Sequence, residues 1–96
     1  MTIEIDLTND KALVTGSGAG IGREIAIWLA RAGATVAVND LIPERAESVT
    51  EEIIKEGGQA FAIPANCRDD VAVDELVKHS FEIMGGLSIA VNNIGM

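Results

Sequence analysis

The sequence predicts an α/β fold built on a parallel sheet, on three observations. Short apolar runs alternate with longer stretches of helical spacing. Glycines or a proline stand at most of the junctions, where they end one element and let the chain turn. A glycine-rich segment lies between the first apolar run and the first helical stretch.

Lys11-Ala12-Leu13-Val14-Thr15 reads as a buried strand. From Gly20 to Ala32, the residues Ile21, Ile25, Trp28, Leu29 and Ala32 recur at helical spacing, and Gly33 stops the helix. Thr35 to Asn39 is a second strand, rich in β-branched residues. Pro43 suits the first turn of a second helix, which presents Ala46, Val49, Ile53 and Ile54 and ends at Gly57-Gly58. Ala60 to Ile63 is a third strand, closed by Pro64. Asp69 or Asp70 caps a third helix with the stripe Val73, Leu76, Val77, Phe81 and Met84, stopped by Gly85-Gly86. Leu87 to Val91 is the fourth strand.

The order is βαβαβαβ, with no linker and no low-complexity segment. Helical crossovers between short apolar strands imply right-handed parallel connections. The expected arrangement is a Rossmann-type sheet of order 3-2-1-4, incomplete, with residues 1–96 as the N-terminal part of one dinucleotide-binding domain. Strand order reverses between strands 1 and 4, which opens a crevice at their carboxyl ends.

Composition narrows the function classes. A formal charge of −8 opposes a phosphate backbone, so nucleic acid is not expected as a partner. A dinucleotide is compatible, because backbone N–H groups bind its phosphates without basic side chains. A lone cysteine, Cys67, forms no intrachain disulfide, and the acidic N-terminus lacks the pattern of a signal peptide. No apolar run reaches the roughly 18 residues of a membrane span. A cytoplasmic protein is the expectation. His79 reads as a surface residue, and without a second histidine no metal site is expected. Glu44, Glu47, Glu51, Glu52 and Glu56 read as the wet face of the second helix.

The segment that carries chemistry is Thr15-Gly16-Ser17-Gly18-Ala19-Gly20-Ile21-Gly22, with strand before it and helix after it. Glycines permit positive φ and close backbone approach to a pyrophosphate, and the helix N-terminus offers free N–H donors. The bare alternative is a flexible turn. Asp40 closes the second strand, 18 residues past Gly22, where a carboxylate accepts both ribose hydroxyls and repels a 2′-phosphate. Neither Ala19 nor Leu41 is basic, so NAD is expected over NADP, although a helix-entry role would also suit Asp40.

Asn66 follows the third strand, and two roles are open to it: bonding an adenine edge, with Ala65 and Cys67 walling the ring, or forming a local turn. Cys67 is expected to pack rather than react, Arg68 being the one neighbour that would lower its pKa. Asn92, Asn93 and Gly95 follow the fourth strand and either order the crevice floor or satisfy backbone groups between loops.

These residues resemble the short-chain dehydrogenase/reductase family. Thr15 to Gly22 matches its T-G-x-x-x-G-x-G signature, and Asn92-Asn93-Ile94-Gly95 is similar to its N-N-A-G motif, from Leu7 to Gly95 overall. The resemblance implies an NAD(P)-dependent oxidoreductase of alcohols and carbonyl compounds. It makes Asp40 the acidic residue that selects NAD and sets Ile21 near the pyrophosphate. Asn66, Ser88 and Ile94 depart from the family's usual aspartate, aspartate and alanine. Val38-Asn39-Asp40-Leu41 also resembles the 3-hydroxyacyl thioester dehydrogenases, but four residues are too few to choose a substrate.

The family's catalytic tyrosine, lysine and serine lie beyond N-N-A-G, and this sequence has no tyrosine. No catalytic residue is therefore assigned, and the chain alone is expected to be inactive. The expected role is the cofactor-binding front of an oxidoreductase. The alternatives are a non-catalytic nucleotide- or partner-binding half-domain, or a structural remnant without a ligand. An apolar fourth strand at the sheet edge also predicts self-association or pairing with a missing C-terminal half.

Overall fold

A computed structural model of the chain describes residues 5–93. Its elements are β1 (Lys11–Val14), α1 (Gly20–Arg31), β2 (Thr35–Val38), α2 (Pro43–Lys55), β3 (Gln59–Ala62), α3 (Asp70–Met84) and β4 (Ile89–Val91). The sheet has the expected order β3-β2-β1-β4. Every pairing is parallel, and Val14 lies level with Val38 and Val91, as Val38 does with Ala62. The four carboxyl ends therefore stop in one row, and the segments that follow them emerge along one edge.

Side chains of a strand alternate between faces, and the two faces carry separate cores. Val14, Val36, Val38 and Ala60 pack with α1 and α2 through Ala26, Ile27, Ala30, Ala46, Val49 and Ile53. Leu13 and Ala37 face the other way, against Leu76 and Met84 of α3 and against Ile63.

The helix faces differ from expectation. In α1 the buried residues are Gly22, Ala26, Ile27 and Ala30, whereas Ile21 is 73% and Trp28 63% exposed. Gly22, Ala26 and Ala30 recur every fourth residue, and their small side chains let the helix lie close on the sheet. The larger residues Ile25 and Leu29 are half-buried at the margin of that contact. In α3 the buried line is Leu76, Ser80 and Met84, again every fourth residue, with Phe81 and Val77 exposed. The Ser80 hydroxyl donates to Leu76 O at 2.7 Å, which satisfies it inside the helix. In α2, Ala46, Val49 and Ile53 are buried as expected, with Thr50 beside them, but Ile54 is not.

Asp69, not Asp70, caps α3, its Oδ1 accepting Val71 N at 3.0 Å and Ala72 N at 3.4 Å. Ser88 ties β4 to β1, accepting Lys11 N and donating to Asp10 Oδ1, both at 2.9 Å. His79 and the glutamates 44, 47, 51 and 56 are exposed, and Glu52 is half-buried.

Adjacent positions on α2 separate burial from composition. Ile53→Ala should cost about 2–5 kcal/mol by cavity formation, and Ile54→Ala no more than about 0.5 kcal/mol. Urea denaturation of the two variants checks this.

Candidate functional site

The glycine turn is shaped by contacts that leave no space for side chains. Gly16 has φ +59°, and a Cβ there would lie 2.4 Å from Asn93 O. At Gly22 a Cβ would lie 2.2 Å from Gly16 O and 2.5 Å from Asn93 Nδ2. At Gly18 it would meet the Asp40 carboxylate and Arg45 Cβ, both at 2.6 Å. Gly20 differs: it also has φ +59°, but a Cβ there would meet no atom of the described residues within 4 Å beyond its chain neighbours and its own helix backbone. The first helical turn that follows has no side-chain cap and no acidic residue. Its N–H groups and partial positive charge are thus left for an anion.

Asn39 and Asp40, at the end of β2, organise this turn. Ser17 N donates to Asn39 O at 2.7 Å, and the fully buried Ser17 hydroxyl accepts Asn39 N at 3.0 Å while donating to Val14 O at 2.7 Å. Asn39 itself is 1% exposed. Its Oδ1 accepts Gly16 N at 3.4 Å and the Cys67 thiol at 3.0 Å. Its Nδ2 donates to Ile63 O at 2.9 Å and Ala65 O at 3.4 Å. The two carboxylate oxygens of Asp40 accept Gly18 N at 3.1 Å and Ile42 N at 3.0 Å. Each keeps a lone pair for a further donor.

These residues enclose a cleft of about 600 Å³ at the carboxyl edge of the sheet. Gly16, Ala19 and Asn93 form one side, Asp40, Leu41 and Arg45 the next, and Ala65, Asn66, Cys67 and Arg68 the third, over Asn39. Of the predicted site residues, Gly16, Asp40, Asn66 and Cys67 line it. Gly20 opens the helical turn beside it. Ser17 faces inward, Gly18 is packed beneath Asp40, and Gly22 is buried against Gly16. The Ile21 side chain points elsewhere, into an apolar groove of about 600 Å³ shared with Ile5, Leu7, Ile25, Trp28 and Leu29. Asn92 does not line the cleft; its Oδ1 accepts the Thr15 hydroxyl at 3.2 Å. Asn93 does, donating its N–H to Thr15 Oγ1 at 2.9 Å and its amide to Gly16 O at 3.3 Å. Ile94 and Gly95 lie outside the described residues.

Asn66 makes the local turn, its Oδ1 accepting Arg68 N at 3.0 Å, and still faces the cleft. Burial pushes the Cys67 thiol up from its ordinary pKa, and the Asp40 carboxylate adds to the shift. The thiol is therefore poorly nucleophilic, and Arg68 does not reverse this. The surroundings of Asp40 do hold basic groups, since Arg45 and Arg68 both line the cleft. Asn39 closes the apolar run of β2, where a polar residue marks a buried group in need of partners. Arg45 gave no local signal; the entry into α2 brings it back over Gly18.

Among the described residues, no three His, Cys, Asp or Glu side chains cluster as a metal site would require. No helix there is long and apolar enough to cross a membrane.

The short chain dehydrogenase family model matches residues 10–96, which include the turn, Asp40 and both asparagines. The chain belongs to the short-chain dehydrogenase family. Among curated relatives, 7alpha-hydroxysteroid dehydrogenase of Escherichia coli K12 is 43% identical over 84 residues, covering 88% of this chain and 33% of that protein. The 3-oxoacyl-(acyl-carrier-protein) reductase of Staphylococcus aureus N315 is 46% identical over 86 residues, 88% of this chain and 35% of that protein. A solved 7 alpha-hydroxysteroid dehydrogenase complexed with NADH and 7-oxo glycochenodeoxycholic acid superposes with a TM-score of 0.94 at 40% identity, over 97% of this chain and 36% of the other. This short-chain dehydrogenase sequence thus spans about a third of the length of the curated relatives it matches.

The two positive-φ glycines of the turn separate space from conformation. Gly16→Ala combines left-handed strain with a backbone clash and should cost about 3 kcal/mol or more. Gly20→Ala carries the strain alone, about 1–2 kcal/mol. Thermal melts of the two variants give the comparison.

Proposed function

We propose that this chain is the NAD(H)-binding part of an oxidoreductase acting on an alcohol or carbonyl substrate. The observation that carries the reading is a single cleft in which an uncapped helix N-terminus adjoins a fixed carboxylate. The N–H groups at the start of α1 would take the pyrophosphate, and the open space at Gly20 lets the backbone approach it. Asp40 would accept the ribose hydroxyls. Asn66 and Ala65 would border the adenine, with the neutral Cys67 thiol beside it. The bound nicotinamide supplies the hydride chemistry. The relatives act on steroid and 3-oxoacyl compounds by their names, and one was solved with NADH, which supports the alcohol or carbonyl class without choosing within it.

NAD is preferred over NADP in this reading, because a 2′-phosphate would meet the Asp40 carboxylate. Arg45 and Arg68 temper the repulsion. Calorimetric titration should show tighter binding of NADH than of NADPH, and Asp40→Ala should narrow the gap. Equal or tighter NADPH binding by the unsubstituted chain would refute the preference.

The same reading gives the chain a polypeptide partner. Among the described residues β4 pairs only with β1, and the groove along Ile21, Ile25 and Trp28 is uncovered. An open apolar strand edge is a template for further pairing. Sedimentation velocity should show concentration-dependent association, and a single monomeric species at high concentration would count against it.

A further inference from the structure

The glycine turn and the β3–α3 loop form opposite walls of the cleft, yet no hydrogen bond among the described residues runs directly from 15–19 to 63–69. Each link between them passes through Asn39 or Asp40. Among the described residues, only Asn39 reaches both walls with its side chain: Oδ1 takes Gly16 N–H on one side, and Nδ2 holds the carbonyls of Ile63 and Ala65 on the other. The same Oδ1 takes the Cys67 thiol, which fixes the start of the third side.

We propose that Asn39 is a positioning residue for the adenosine end of the dinucleotide, its amide setting the separation of the two walls between which that end sits. This rests on reading the cleft as a dinucleotide site. The chemistry of the position is restrictive. A primary amide carries donor and acceptor in one short plane. A carboxylate would keep the bond from Gly16 N–H but confront the carbonyl oxygens of Ile63 and Ala65. An aliphatic side chain of similar size would leave the buried groups on both walls without partners. Asn39 touches no reacting atom. It acts by holding, before the ligand arrives, the geometry that the ligand needs.

A residue that only satisfies buried groups lowers stability and leaves the affinity of the folded fraction alone. The test separates these effects by titrating AMP and NADH into the unsubstituted chain, Asn39→Leu, Asn39→Asp and Ile53→Ala. Each is held below its melting transition, and affinities are corrected for the folded fraction. Ile53 is buried in the core and does not line the cleft, so Ile53→Ala is the stability control. Asn39→Leu should weaken AMP and NADH by the same factor, about tenfold or more, equivalent to ~1.4 kcal/mol. Ile53→Ala should leave both within about twofold. If Asn39→Leu does not fold, Asn39→Asp takes its place, with AMP again weakened as much as NADH. Unchanged affinity in a folded Asn39 variant overturns the proposal while the dinucleotide reading stands. Failure of the unsubstituted chain to bind either ligand removes that reading and the proposal with it. Amide exchange on the unsubstituted chain is independent of any variant. AMP should slow the Gly16 and Ala65 amides together, and slowing of only one wall would overturn the coupling.

Discussion

The contact between Ser17 and Asn39 holds the rest of the site in place. A strand-to-helix turn of glycines has many accessible conformations, and ordering it costs entropy. Here the turn is fixed where it passes β2: the Ser17 amide meets Asn39 O, and the Ser17 hydroxyl meets Asn39 N. Because β1 and β2 run in register to their ends, Val14 and Val38 are level and the next residues are within reach. Sheet register thus becomes turn geometry, and turn geometry aims the first turn of α1 at the cleft.

The glycines of the turn serve three purposes. Gly16 needs both a left-handed backbone and empty space beside Asn93. Gly18 and Gly22 need only space, the first under Asp40 and Arg45, the second where α1 rests on Gly16. Gly20 needs only the conformation. The spacing in the sequence therefore encodes close approaches within the protein as much as approach to a ligand. The Asp40 carboxylate likewise lines the cleft while securing Gly18 and Ile42.

The succession of elements, the strand order and the position of the cleft were legible in the sequence, because apolar runs, glycine stops and one turn motif suffice to specify them. The helix faces were less legible. In α1 the apolar residues surround most of the helix, and size pointed to Ile21 and Trp28. Close packing instead favoured Gly22, Ala26 and Ala30. In α3 a serine took a core position because its hydroxyl is satisfied by its own helix. Around the cleft, the lining residues at strand ends were legible from the sequence, and those arriving from elsewhere were not. Asp40 follows its strand directly, whereas Arg45 reaches the cleft only through the path of the chain into α2. The Ser17 side chain turns inward to β2, which its place in a glycine turn does not signal.

The lock on the glycine turn has a bearing on the order in which the molecule assembles. Neighbouring strands β1, β2 and β3 meet across single helical crossovers, but the bond from Lys11 to Ser88 joins residues 77 positions apart. Closing the longest loop carries the greatest entropic cost, and non-local pairings form slowly. Asn93, which holds Gly16 O and abuts Gly22, arrives just behind β4. The remaining strands can form a sheet before that contact exists, so the cradle at the head of α1 is completed only when the most distant strand docks. On loop-closure entropy alone, that contact is expected to form last.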